Sequence, residues 1–243
     1  MADKNNDLSN LIRWRGDRIV CTGGVVFIGE GQTGKTHTAM SLTDYRGKSF
    51  YSVIDNTVRK SLNLELDYLV FYSSLDEFQI TTSSQIFIMP GQRGSNPPGE
   101  GLAFEDACDM YFKVSNMREV MALVLTYDLT DINTFQELEY WLERALARNL
   151  VKQHTSIIIL GTHLDQKDHL IVLDDYIENA RQFVYDFIQE KSELDIKLDD
   201  IHIAKVSNQT GEGIEEFKQI INRSFLSAFK IQEYVFNLSL TED

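Results

Sequence analysis

Apolar residues along this chain fall into two alternating periods. Residues 24–28 (Gly-Val-Val-Phe-Ile), 120–127, 156–160 and 201–206 are short, continuous, β-branched runs, the pattern of strands buried on both faces. Between them the spacing becomes helical. Residues 134–149 carry Phe135, Leu138, Trp141, Leu142 and Ala145 on one face, with Asp131 or Asn133 as a cap, and residues 103–110, 176–188 and 214–229 repeat the pattern. Buried strands alternating with amphipathic helices imply right-handed crossovers and a doubly wound, mostly parallel α/β sheet that binds ligands at the carboxyl ends of its strands.

One region departs from this rhythm. Leu62, Leu64, Leu66, Tyr68, Val70 and Tyr72 alternate with other residues as in a strand. Residues 78–80 and 85–89 flank Thr81-Thr82-Ser83-Ser84, which reads as a hairpin turn, so that a long hairpin adds one antiparallel strand. Residues 44–60 have no period and read as a mobile segment. Residues 95–101, with Pro97 and Pro98, are the most loop-like run. Residues 1–10 are polar, and 11–15 (Leu-Ile-Arg-Trp-Arg) form a candidate short element packed on the domain. The resulting organisation is an extension at 1–18, one α/β domain at 19–230 and a tail at 231–243.

Composition narrows the possibilities. A chain of 243 residues that is 43% hydrophobic, without a dividing linker or repeat, makes one core. A net charge of −14 argues against a nucleic-acid backbone or an anionic membrane as partner. Cys21 and Cys108 lack metal-ligand spacing and read as small buried hydrophobes of a reducing, cytoplasmic protein. No run is long enough to span a bilayer. Ala2 is not a myristoylation site and residues 239–243 hold no prenylatable cysteine, so no direct lipid anchor is expected. The histidines His37, His154, His163, His169 and His202 have no zinc spacing.

The most specific chemistry lies at Gly29-Glu30-Gly31-Gln32-Thr33-Gly34-Lys35-Thr36, directly after the first buried strand and before a helix that begins near His37. Glycines let successive backbone N–H groups turn inward as an anion nest, Lys35 adds a point charge at the outer phosphates, and Thr36 offers a hydroxyl to Mg²⁺. The helix N-terminus places its positive dipole end under the same phosphates.

With this loop in place, the residues from 24 to 229 resemble the small GTPases of the Ras superfamily. The run Tyr127-Asp128-Leu129-Thr130-Asp131, Gly161-Thr162-His163-Leu164-Asp165 and Ser207-Asn208-Gln209-Thr210-Gly211 look like the segment after the fourth strand, the guanine-specificity motif and the final base-contacting loop. The resemblance implies a P-loop small-GTPase fold. Chemically, the Asp165 carboxylate can accept two parallel N–H bonds from guanine, and adenine offers no such pair. His163 stands where the family carries a lysine; it can stack on the base without a lysine's reach.

By the same resemblance Gln92 orients the attacking water and the Gly91 N–H senses the γ-phosphate. The aspartate usual three places before that glycine is Ile88 here, a departure shared with the bacterial MglA-type polarity GTPases and some archaeal relatives. That closer resemblance makes Thr57, or else Ser61, the switch hydroxyl on Mg²⁺, and Arg59 an intrinsic arginine finger. Together these imply a GTP-binding switch that hydrolyses GTP slowly to GDP and phosphate with Mg²⁺. It would be aided by an activating partner of roadblock fold, recognised by effectors through its switch segments, and act in polarity or intracellular organisation. Two rival readings are a nucleotide-locked interaction module, supported by Ile88 and His163, and an ATP-using P-loop enzyme, which Asp165 opposes.

Overall fold

The computed structural model describes residues 8–43, 65–91, 102–114 and 119–233. The site residues expected in the switch region, Thr57, Arg59, Ser61 and Gln92, together with Pro97, Pro98 and the segment 44–60, lie outside them.

Among the described residues seven strands form one sheet: β1 (Ile12–Arg15), β2 (Arg18–Ile28), β3 (Glu65–Leu75), β4 (Phe78–Ile88), β5 (Val120–Asp128), β6 (Ser156–Thr162) and β7 (Ile201–Lys205). Their order is β3-β4-β2-β5-β6-β7, with β1 paired to the start of β2. From β4 through β7 every neighbouring pair is parallel; β3–β4 and β1–β2 are antiparallel. The doubly wound sheet is therefore the one expected, with a second antiparallel pair. That pair comes from residues 11–15, whose short element is a strand: Ile12 pairs with Cys21 and Arg15 with Arg18, before β2 moves on to β5 at Gly24.

Helices α1 (Lys35–Leu42), α2 (Phe104–Val114), α3 (Ile132–Gln136), α4 (Leu138–Ala147), α5 (Asp174–Lys191) and α6 (Ile214–Ala228) cover both faces. Successive β2 side chains divide between two cores, as a two-sided strand must. Val26 and Ile28 pack with Phe104, Trp141 and Val184 of α2, α4 and α5, whereas Val25 and Phe27 pack with Leu42, Phe217 and Phe225 of α1 and α6. At about 25 cal/mol per Å² of apolar surface, burial of this kind is the main force holding helices to sheet.

Two local expectations are corrected. Thr81-Thr82-Ser83-Ser84 is not a hairpin turn but the middle of β4; the turn is at Asp76-Glu77, where Asp76 takes φ +51°. Thr82 and Ser84 are fully buried and alternate with half-buried Thr81 and Ser83, so a strand was hidden by polar residues that the ladder accommodates. On β3, the alternating set Tyr68, Val70 and Tyr72 faces outward and Leu69 is buried. The helix expected over 134–149 is two helices that meet at Glu137; of the two candidate caps Asp131 is the one used, accepting from Asn133 N at 2.9 Å. No helix among the described residues is long and apolar enough to cross a membrane.

Candidate nucleotide site

The carboxyl ends of β2, β5, β6 and β7 open on the same rim, and the loops that leave them meet there. The loop between β2 and α1 is held closely by the sheet. Gly29 has φ +141°, and a Cβ on it would lie 2.2 Å from Thr126 O of β5, so only glycine fits. Thr33 is fully buried and its Oγ1 donates to Glu30 O at 3.0 Å, which closes the loop on itself. Gly34, at φ +82°, precedes α1, and Thr38 N donates to Gly34 O at 2.9 Å to start the helix. Gly31, Gln32 (φ +67°), Thr36 and His37 complete the loop and the first turn of α1.

Lys35 is 5% exposed. A buried ammonium needs hydrogen-bond acceptors, and its Nζ donates to Gly29 O at 2.9 Å and to Glu30 O at 2.7 Å. The chain leaving β4 comes down on this same place: a Cβ on Gly91 would lie 2.6 Å from Gly29 O and from Lys35 Nζ. Gly91 thus rests directly on the loop, whose backbone leaves no room for a side chain there. Ile88, the residue in place of the usual acid, is 3% exposed in the core beside Val25, Phe27 and Leu42.

The second half of the site is built by side-chain hydrogen bonds. Thr162, at the end of β6 and fully buried, donates its hydroxyl to Thr33 O at 2.9 Å, with Tyr127 O 3.1 Å away. This ties the guanine-type motif to the loop before α1. The next residue, His163, has left-handed backbone (φ +62°), and its Nδ1 lies 2.9 Å from Asp128 Oδ2 at the end of β5 and 3.1 Å from Thr162 Oγ1. A carboxylate only accepts, so Nδ1 carries the proton.

Each member of this pair favours the charge of the other. The Asp128 bond raises His163 above the ordinary histidine value; burial opposes this and the Asp165 charge adds to it. Burial alone would raise Asp128, but bonds from His163 and from the Thr130 hydroxyl and N–H hold its carboxyl below the usual range. Asp165 accepts from Ser207 Oγ at 2.7 Å, and Ser207 Oγ in turn accepts from Thr210 N at 3.0 Å and Gln209 N at 3.2 Å. The hydroxyl proton is thereby aimed at Asp165, and the two base-type loops are joined.

Asn208 turns towards the phosphate side. Its Oδ1 accepts from Thr38 Oγ1 at 3.1 Å and Ser41 Oγ at 3.4 Å, and its Nδ2 donates to Gly34 O at 3.4 Å. Gly29, Gly31, Gln32, Thr33, Gly34, Lys35, Thr36, His37, Gly91, Thr162, His163, Asp165, Ser207, Asn208 and Gln209 therefore gather along one rim. Sequence reasoning did not single out Asp128 or the carboxamide of Asn208. The signal for Asp128 was an acid at the carboxyl end of a buried strand; for Asn208 there was none, because its partners Thr38 and Ser41 are 170 and 167 residues away.

Close packing of backbone on backbone leaves room only for glycine at Gly29 and Gly91, as a loop wrapped tightly on itself requires. For Mg²⁺, Thr36 stands at the start of α1 as a hydroxyl donor, and Ile88 supplies no carboxylate. Among the described residues no three His, Cys, Asp or Glu side chains converge as a metal site of their own. A Mg²⁺ here would depend on phosphate oxygens and hydroxyls.

Residues 109–223 match the family model of the Ras family. The match runs from α2 through β5, β6 and β7 into α6, covers Thr162, Asp165 and Ser207, and begins after the Lys35 loop. No curated protein matches the chain. Residues 109–223, just under half of the chain, are thus similar to the Ras family, and the mostly parallel α/β sheet is consistent with a Ras-like P-loop GTPase fold.

Proposed function

We propose that the protein is a GTP-binding switch that hydrolyses GTP slowly to GDP and phosphate. The observation that carries this reading is the Thr162 hydroxyl bonded to Thr33 O, with Asp165 bonded to Ser207. These two separate bonds, three residues apart at the end of β6, tie the loop before α1 and the loop after β7 to the same segment, which sets a phosphate-type loop beside a carboxylate suited to guanine. Lys35 and the amides of the loop hold the phosphates. Asp165 takes the ring N–H and exocyclic amine of guanine, and the Asn208 backbone meets its carbonyl. Bound Mg²⁺ would neutralise charge on the outer phosphates, with Thr36 and Thr57 or Ser61 as its hydroxyls. Gln92 orients the water, Gly91 senses the γ-phosphate, and Arg59 is an intrinsic arginine finger.

The regulator in this reading is an activating partner of roadblock fold, the effectors engage the switch segments, and the setting is polarity or intracellular organisation in the cytoplasm. A nucleotide-locked interaction module is the second reading, favoured by Ile88 being buried where a metal-holding acid is usual.

Exchange of Asp165 for Asn tests the base assignment. An amide presents a donor where the carboxylate accepted, so Asp165→Asn should lose guanine nucleotides by about a hundredfold or more and gain xanthine nucleotides, whose ring carries a carbonyl at that position. Unchanged preference for guanine would refute the assignment. Turnover that disappears in Gln92→Leu would separate the switch from the locked module.

A further inference from the structure

His163 stands among the base-type loops at the place where the resembled family carries a lysine. His163 lies between Thr162, which touches the phosphate loop, and Asp165, which is bonded to Ser207. Its left-handed backbone sends the ring to β5, where Nδ1 meets the Asp128 carboxylate at 2.9 Å. The Asp128 side chain is 18% exposed and that of His163 32%. The ring is therefore anchored at one nitrogen while part of it stays exposed.

We propose that His163, paired with Asp128, is the cation of the base site, and that its proton sets how long a guanine nucleotide stays bound. The proposal rests on the guanine reading of Asp165 and deepens it. A protonated imidazole is a flat cation that can stack on a purine, gaining both ring contact and cation–π attraction. A lysine at this place would keep its charge to about pH 10, whereas histidine loses it near neutrality.

The two carboxylates that face His163 act in one direction. Asp128 reaches it from the end of β5, and Asp165 from its own loop; both favour the imidazolium, against the effect of burial. The loop before α1 brings Lys35, whose ammonium donates to Gly29 O and Glu30 O. The loop after β7 presents Ser207 and Asn208, which are uncharged. Sign follows directly: the cation is present below the raised His163 value and is lost as pH rises through it. Nucleotide residence shortens over that same interval.

The test is the dissociation rate of a fluorescent GDP from the full-length protein between pH 6 and 9 at fixed salt and Mg²⁺. The rate is compared with that of His163→Lys, whose charge is constant there. The ratio of the two curves cancels titration of the nucleotide's own phosphate. The wild-type rate should rise by about three- to tenfold relative to the lysine variant. NMR titration of the His163 ring in the wild-type protein should give the same midpoint, and in Asp128→Asn the step should move to lower pH. Guanine binding with a flat ratio, or a step at a pH where His163 does not titrate, would overturn the proposal alone. No guanine binding at any pH would overturn the guanine reading and the proposal with it.

Discussion

The two ends of the candidate site are held by different physics. At the phosphate end, backbone against backbone decides the geometry: Gly29 under Thr126 O, Gly91 on Gly29 O, and Lys35 folded onto loop carbonyls. At the base end, side chains decide it, through Thr162 to Thr33, Ser207 to Asp165 and His163 to Asp128. Steric fits fail abruptly, whereas hydrogen-bond chains weaken one link at a time. Substitutions at the first end should therefore be severe and insensitive to pH, and those at the second graded and, at one pair, pH-dependent.

The largest effect is expected at Gly29. Gly29→Ala places a methyl 2.2 Å from Thr126 O at a φ that L-residues avoid, and should cost about 2–4 kcal/mol of stability, read as a lower denaturation midpoint. An unchanged midpoint would mean that the loop is not sterically fixed. Next, Thr162→Val keeps the shape of the side chain but leaves Thr33 O without its hydroxyl donor. It should cost about 1–3 kcal/mol in unfolding free energy and speed nucleotide release. Retention of both values would cut the proposed link between the two ends.

A smaller effect concerns pH and stability. His163 is raised in the folded protein, so its pairing with Asp128 contributes fully below about pH 6.5, the unfolded histidine value, and is lost as pH rises through the folded one. Asp128 is lowered, so its share is present above the ordinary aspartate range and disappears as pH falls through its folded value. The His163→Gln variant should lose the upper pH dependence and keep only the part of the lower one that the Thr130 bonds supply. The smallest expected effect is at the cysteines: burial pushes Cys21 and Cys108 up to about 12, so both should resist a thiol reagent at pH 8 until the protein unfolds.

The asymmetry between the ends also explains how much was readable from residues alone. The phosphate loop announces itself, because its glycines and Lys35 are contiguous and follow a buried strand. Asp165 and Ser207 were legible as short motifs at strand ends. The tie of Asn208 to Thr38 and Ser41 was not, since it depends on how α1 lies beside the loop after β7. In the fold, continuous apolar runs predicted β5, β6 and β7 well, while β4 was broken in two on paper. Its Thr and Ser residues are polar by type, yet they are paired in the ladder and half of them are buried. Polarity marks turns only where the backbone is free to leave the sheet.

The central claim is that one rim holds a phosphate cradle and a guanine reader together. It is tested most directly by displacing a bound fluorescent guanine nucleotide, with Mg²⁺ present, by GTP, GDP or ATP. The account predicts displacement by GTP and GDP and not by ATP. Equal displacement by ATP, or the absence of any nucleotide binding, would contradict it.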